Sequence, residues 1–253
     1  MRATDRDITF YLRAKDELTK GAFAPEINWQ IRLTFKDFTE SDLLREAAWV
    51  IMCSGFKESI VRRYFNFVSL CFCDWQSAAL ICECAERCRA TAIGRFKNTK
   101  KIDAIIETAR LLTQMGFAQL KQEILKHPIQ SLQALPFIGP ITAFHLAKNL
   151  GFATAKPDRH LERLARSTGY ANAHELCGAV AAATGDPIQV IDIVLWRYAE
   201  QRSAGGCLSI PQLGRADDNG VHPDDLPHTR AVCALGLADN SCLNTYCSIP
   251  PLA

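Results

Sequence analysis

The stretch from Ser131 to Ala165, SLQALPFIGPITAFHLAKNLGFATAKPDRHLERLA, constrains the fold more than any other part of the chain. Pro136 disfavours helix at the residues just before it, and Gly139 supplies a backbone position with no side chain. LPFIGP must therefore turn between two apolar helical patterns. The product is a helix–hairpin–helix. Gly139 lets a phosphate approach closely, and the N–H groups opening the helix Pro140 to Asn149 face it with the positive end of the dipole. Such a hairpin grips a nucleic-acid backbone without reading bases. Thr142, Lys148 and Asn149 on the second helix, and Lys156 in the link beyond it, are candidate phosphate contacts.

The rest of the chain supports a helical reading. Residues 5 to 19 form an amphipathic pattern with Ile8, Tyr11, Leu12 and Leu18 on one side. Ser41 is a candidate cap for DLLREAAWVIMCSG, which Gly55 stops, and KESIVRRYFNFVSLCF continues as a second helix. A cysteine-rich helix is expected over 75 to 90, and Asn98 caps a long helix to Met115 that Gly116 closes. A short helix follows around Leu120 to Leu125. Beyond the hairpin, helices end at Gly169 and Gly185, and Asp186-Pro187 reads as the start of the last one. With no convincing strand through residue 202, the fold class is an all-α bundle.

Composition bounds the rest. The chain has 253 residues and is 48% hydrophobic, enough for one good-sized core. No apolar run is long enough to span a bilayer, and MRATDRDITFYLRAKDE has no apolar signal core, so an intracellular protein with no membrane partner is expected. The net charge of +2 is uneven, because residues 203 to 253 hold two Arg and five Asp. The mildly basic remainder is compatible with DNA. The same tail holds five of the 14 Gly and five of the 11 Pro and no Lys, Glu, Phe or Trp, so it reads as irregular. The expected organisation is an extension over 1–40 packing on the core, a main domain over 41–202 with its hairpin at 129–150, and a Gly/Pro/Cys-rich tail over 203–253. Of the eleven cysteines, Cys71, Cys73, Cys82, Cys84 and Cys88 lie in apolar helical surroundings and read as buried thiols.

LPFIGPITAFHLAKNLG followed closely by KPDRHLERLA resembles the helix–hairpin–helix–Gly/Pro–Asp (HhH-GPD) superfamily of base-excision DNA glycosylases. FKNTKKIDAIIETARLL and IDIVLWRYAE fit the same pattern, so the resemblance covers residues 40 to 201. It implies the fold of a helical glycosylase bundle, with Leu135, Pro136, Gly139, Thr142 and Ala143 on the hairpin that anchors DNA and Asp158 as the catalytic aspartate at the flipped nucleotide's sugar. It also places the early helices along one wall of the base pocket, where Trp49, Phe56, Tyr64 and Phe65 could stack a flipped base, although an aromatic at helical spacing is more often core. Asp192, in an apolar helix beside Trp196, is either a second pocket carboxylate or a buried Asp bonded to a backbone amide. In bifunctional members a lysine precedes the hairpin's Thr-Ala; here Ile141 stands there and cannot form a Schiff base.

The chemistry follows from the residue type. Cleaving an N-glycosidic bond passes through a sugar with oxocarbenium character, which a carboxylate stabilises while it orients or deprotonates water. Asp158 at a helix start also serves as an N-cap, and the two roles are compatible. Arg159 and His160 read as structural or phosphate-facing. The expected activity is that of a monofunctional DNA N-glycosylase acting as a monomer on double-stranded DNA with a damaged or modified base and leaving an abasic site. The alternatives are a non-catalytic hairpin DNA-binding protein and an enzyme of the same fold acting on modified phage bases. Some relatives carry a four-cysteine iron–sulfur cluster after the core. Cys207, Cys233, Cys242 and Cys247 invite that reading, but their spacing is looser than the compact pattern, so no metal or cofactor is expected.

Overall fold

The computed structural model describes residues 2–204, which form thirteen α-helices and one 3₁₀ turn, with no strand among the described residues. In order they are α1 (Asp5–Thr19), α2 (Ala24–Arg32), α3 (Glu40–Cys53), α4 (Glu58–Cys71), the 3₁₀ turn Cys73–Trp75, α5 (Ala78–Glu83), α6 (Ala85–Arg95), α7 (Thr99–Met115), α8 (Phe117–Lys126), α9 (Pro128–Gln133), α10 (Pro140–Asn149), α11 (Arg159–Ser167), α12 (Ala173–Thr184) and α13 (Ile188–Ala204). The tail and its four cysteines lie outside the described residues. No single described helix is long and apolar enough to cross a membrane.

Local chemistry explains where the helices begin and end. Two of them start on reciprocal Thr/Asp capping boxes: Thr4 with Asp7 opens α1, and Thr39 with Asp42 opens α3, so Thr39 rather than Ser41 is the cap there. Asn98 caps α7 by accepting from the Lys101 N–H at 3.2 Å. The helix expected over 75 to 90 is instead broken. Cys73, Asp74 and Trp75 all have positive φ (56°, 49° and 62°), and the α5 pattern stops at Cys84 before α6 begins. Asp186 does not cap α13. Its carboxylate accepts from the Tyr11 hydroxyl at 2.6 Å and from Lys15 Nζ at 2.7 Å, which ties α1 to the α12–α13 turn.

Two apolar cores result. The first, from Phe38 to Phe152, is built by α3 to α10. The second combines Tyr11, Ala14, Leu18 and Ile27 of α1 and α2 with α11, α12 and α13. The first 32 residues therefore form part of a core themselves. The buried face of α1 runs through Asp7, Tyr11, Ala14 and Leu18, and this rotation leaves Leu12 exposed. The link between α2 and α3 passes close to Gly151, which closes α10: a Cβ there would stand 2.8 Å from the backbone N of Phe35, and φ is +87°, so only glycine fits.

Polar and charged side chains hold the seam between the lobes. Arg197 of α13, almost fully buried, donates to both Glu26 oxygens of α2 (2.8 and 3.0 Å) and to Glu58 of α4 (2.7 Å). Lys148 of α10 pairs with Asp192 of α13 at 2.5 Å, both buried. Buried charges that survive in a fold are paired in this way because an isolated one would cost several kcal/mol.

Candidate active site

A cavity of about 1040 Å³ opens along this seam. Trp29 and Gln30 come from α2, Glu46, Trp49 and Cys53 from α3, His145 and Lys148 from α10, Lys156 from the link, and Asp192 and Trp196 from α13. Each lobe thus supplies one wall. Asp192 is the organising anion: one carboxylate oxygen takes Lys148 Nζ and the other accepts the Lys156 main-chain N–H at 2.7 Å. Asp192 is thus buried on a backbone amide and also lines the cavity.

The enclosed setting shifts several groups. Burial raises Glu46 to about 7, against the pull of Arg45 and of the Asn149 amide that donates to it at 2.8 Å, so near neutral pH it exists in both charge states. Burial pushes the Cys53 thiol up to about 12, which makes it an inert wall. His145 is held well below its ordinary value, by burial first and then by Lys156, Lys148 and Arg197, so its imidazole is neutral. Lys156 is lowered, burial again leading, while the charge of Asp158 acts in the opposite direction.

Asp158 stands at the start of α11, between cavity-lining Lys156 and Arg159. Its Oδ1 accepts from the N–H groups of His160 (2.9 Å) and Leu161 (3.1 Å), which fixes the side chain as an N-cap. Oδ2 has no hydrogen-bond partner among the described residues. One oxygen is held by the fold and the other is not engaged by it.

The hairpin joins α9 to α10. Its left-handed residue is Phe137 (φ 65°), whereas Gly139 is extended (φ −94°, ψ −177°). Phe137 does not pack between the helices: it is 45% exposed at the tip, with Lys101 Nζ 5.4 Å from its ring centroid. Lys101 donates to the carbonyls of Ile51, Met52 and Ser54, binding the end of α3 to α7 beside the hairpin. A Cβ on Gly139 would meet nothing closer than Thr142 Oγ1 at 3.8 Å, so the molecule itself does not require glycine there. The Thr142 hydroxyl accepts from the Gly139 N–H at 2.7 Å and lies 3.2 Å from the Gly139 carbonyl it donates to; its proton is engaged in the turn and is not offered outward. The N–H groups of Ile141 and Thr142, in the first turn of α10, have no partner among the described residues.

Other expected site residues are placed as follows. Trp49 and Phe56 line the cavity. Tyr64 does not: its ring lies 6.0 Å from that of Phe96, while Arg62 and Phe65 of the same helix line the cavity. Lys148 cannot reach a phosphate without breaking its pair with Asp192, and Lys156 faces the cavity. Leu135 is buried in the first core, and Pro136 and Gly139 are partly accessible. Ile141 is 51% exposed and lies outside the cavity wall. Sequence reasoning missed Gln30, 1% exposed, whose side-chain oxygen has no partner among the described residues, together with Glu46 and Arg197. No pattern in the sequence distinguishes Gln30, because α2 itself carries only a short amphipathic signal.

The sequence matches no protein-family model and no curated protein. Among solved structures, the 8-oxoguanine DNA glycosylase of Thermotoga maritima superposes with a TM-score of 0.52 at 23% identity, over 75% of this chain and 93% of that one. This chain has the fold of that glycosylase. The 8-oxoguanine DNA glycosylase of Methanocaldococcus jannaschii aligns with a TM-score of 0.47 at 15% identity, over 79% of this chain and 98% of that one. The hairpin and Asp158 lie in one continuous stretch of chain, from α9 to the start of α11, and Lys156, Arg159 and His160 beside Asp158 line the cavity.

Proposed function

We propose that this chain is a monofunctional DNA N-glycosylase that flips a damaged or modified nucleotide from duplex DNA, takes the base into the seam cavity and hydrolyses its glycosidic bond through Asp158. The observation that carries the reading is the divided role of Asp158 beside that cavity: Oδ1 anchors the side chain on α11 and Oδ2 has no partner among the described residues. A carboxylate so fixed stabilises positive charge on the sugar and draws a proton from attacking water without having to reorganise. The cavity volume, at the upper end of the range of about 300–1,000 Å³ usual for small-molecule sites, favours an enzyme over a binding module that has lost its pocket. With Ile141 where an amine would be needed, excision should stop at the abasic site. The protein is read as an intracellular monomer that needs no cofactor for this step.

The deciding experiment is a screen of purified protein against duplexes carrying oxidised, alkylated, deaminated and phage-type bases, with 8-oxoguanine, the substrate of the Thermotoga protein, included. Alkali should reveal abasic sites on at least one duplex, the untreated strand should stay intact, and borohydride should trap no covalent adduct. Release from none of them would reject the reading, and a strong adduct would reject its monofunctional part.

DNA is expected to be held through the open N–H groups of α10. Gly139→Glu should keep a near wild-type melting temperature, since its Cβ would meet nothing closer than Thr142 Oγ1 at 3.8 Å, yet should weaken duplex binding at moderate salt at least ~10-fold by setting a carboxylate against a phosphate. Equal affinity in the folded variant would mean that the hairpin is not the anchor.

A further inference from the structure

Resting on the glycosylase reading, we infer that Lys156 is the catalytic acid that protonates the leaving base. The other cavity cations with buried charges are already paired: Arg197 with Glu26 and Glu58, and Lys148 with Asp192. Lys156 has no carboxylate within ion-pair distance among the described residues, although its main chain is firmly placed. Its N–H bonds Asp192, and its carbonyl accepts from the Asp158 N–H at 2.8 Å in a tight turn over Pro157. The ammonium and the Asp158 carboxylate are thus carried on one short rigid unit, at the cavity and at its edge respectively.

Hydrolysis needs both groups. As the C1′–N bond breaks, its electron pair goes to the base nitrogen, which takes a proton from Lys156 Nζ; the base departs neutral. Water adds to C1′, its proton passes to Asp158, and that proton then returns to the Lys156 amine. The sum is nucleotide plus water giving free base plus abasic sugar. A lysine that has just given up its proton adds no positive charge beside a cationic sugar, whereas a permanent cation would oppose the step.

The groups around Lys156 fit an acid of reduced basicity: Asp158 on its own link, His145 and Lys148 on α10, Asp192 on α13 and Cys53 on α3. Burial, the largest influence, and Lys148 lower its basicity, while Asp158 and Asp192 act in the opposite direction.

The test measures single-turnover base release by the full-length protein against pH, on a duplex whose lesion leaves as an anion unless protonated and on one carrying N7-methylguanine, whose base leaves without needing a proton. Lys156→Met should lose at least ~100-fold on the first duplex and the alkaline limb of its pH profile, and much less on the second. Lys156→Arg, which keeps charge but does not release a proton, should be as slow as Lys156→Met. Melting temperature and duplex affinity control for folding in both variants. Near wild-type release by Lys156→Arg, an unchanged alkaline limb in either folded variant, or a borohydride adduct mapped to Lys156 would overturn the assignment while leaving the glycosylase reading in place. A wild type that releases no base would overturn both.

Discussion

Asp158→Asn protein should bind damaged duplex as tightly as wild type and release base at least ~100-fold more slowly. The amide keeps the size of the side chain and an oxygen for the N–H groups of His160 and Leu161, and asparagine caps helices as well as aspartate does, so α11 should start where it does now. Only the charge is lost. Asp158→Ala would lose the cap as well, at about 1 kcal/mol, and is the weaker test because a slower rate could then reflect a displaced link. Single-turnover kinetics with melting curves separate the two effects. Full release by the folded Asn variant would take the central carboxylate out of the mechanism.

The largest stability effect is expected at Arg197. Replacing it with Met leaves Glu26 buried without its cation and partly buried Glu58 with Arg62 alone, a loss of about 3–5 kcal/mol. Thermal unfolding should shift down by on the order of 10 °C. Most of that loss is the cost of stranded charge, so adding Glu26→Gln and Glu58→Gln to the Met variant should recover part of it. The pH dependence gives a second reading. Burial alone would raise the Glu58 carboxyl, but Arg197 and Arg62 more than offset it and hold it below the ordinary value. A depressed carboxylate contributes stability above its unfolded value of about 4.3, which is lost as pH falls through the lower folded value. In the Met variant Arg62 alone opposes burial, so the Glu58 contribution to stability, and its loss on acidification, should shrink. A variant as stable as wild type would show that the network is replaceable by packing.

What the sequence disclosed was local. The hairpin, Asp158 as a cap, the Asn98 start of α7 and the glycine stops all depend on neighbours within a few positions, and the helical periods fix the fold class. What it concealed depends on partners far along the chain. Lys148 looked like a phosphate contact because Asp192, 44 residues on, cannot be seen as its partner. Asp186 looked like a helix cap because its actual partners, Tyr11 and Lys15, are 175 and 171 residues away. Nothing in the sequence shows that Phe137, rather than Gly139, takes the left-handed backbone of the hairpin, with its ring exposed at the tip. The break at Cys84 and the left-handed run at Cys73 to Trp75 lie within an apolar, helix-compatible sequence, where packing of Trp75 against Phe72 overrides the local pattern.

The two cores also differ in when they can exist. The first is contiguous, Phe38 to Phe152, and can condense as soon as that length has left the ribosome. The second joins the first helix to α11, α12 and α13, so the partners of Tyr11 and Leu18 are complete only once α13 has been made. The cavity is bounded by both lobes, so a nascent chain displays a complete hairpin well before it has a pocket to bring a base into. During synthesis, the capacity to hold DNA should therefore precede the capacity to cut a base from it, and a chain arrested before residue 188 should compete for DNA while remaining chemically inert.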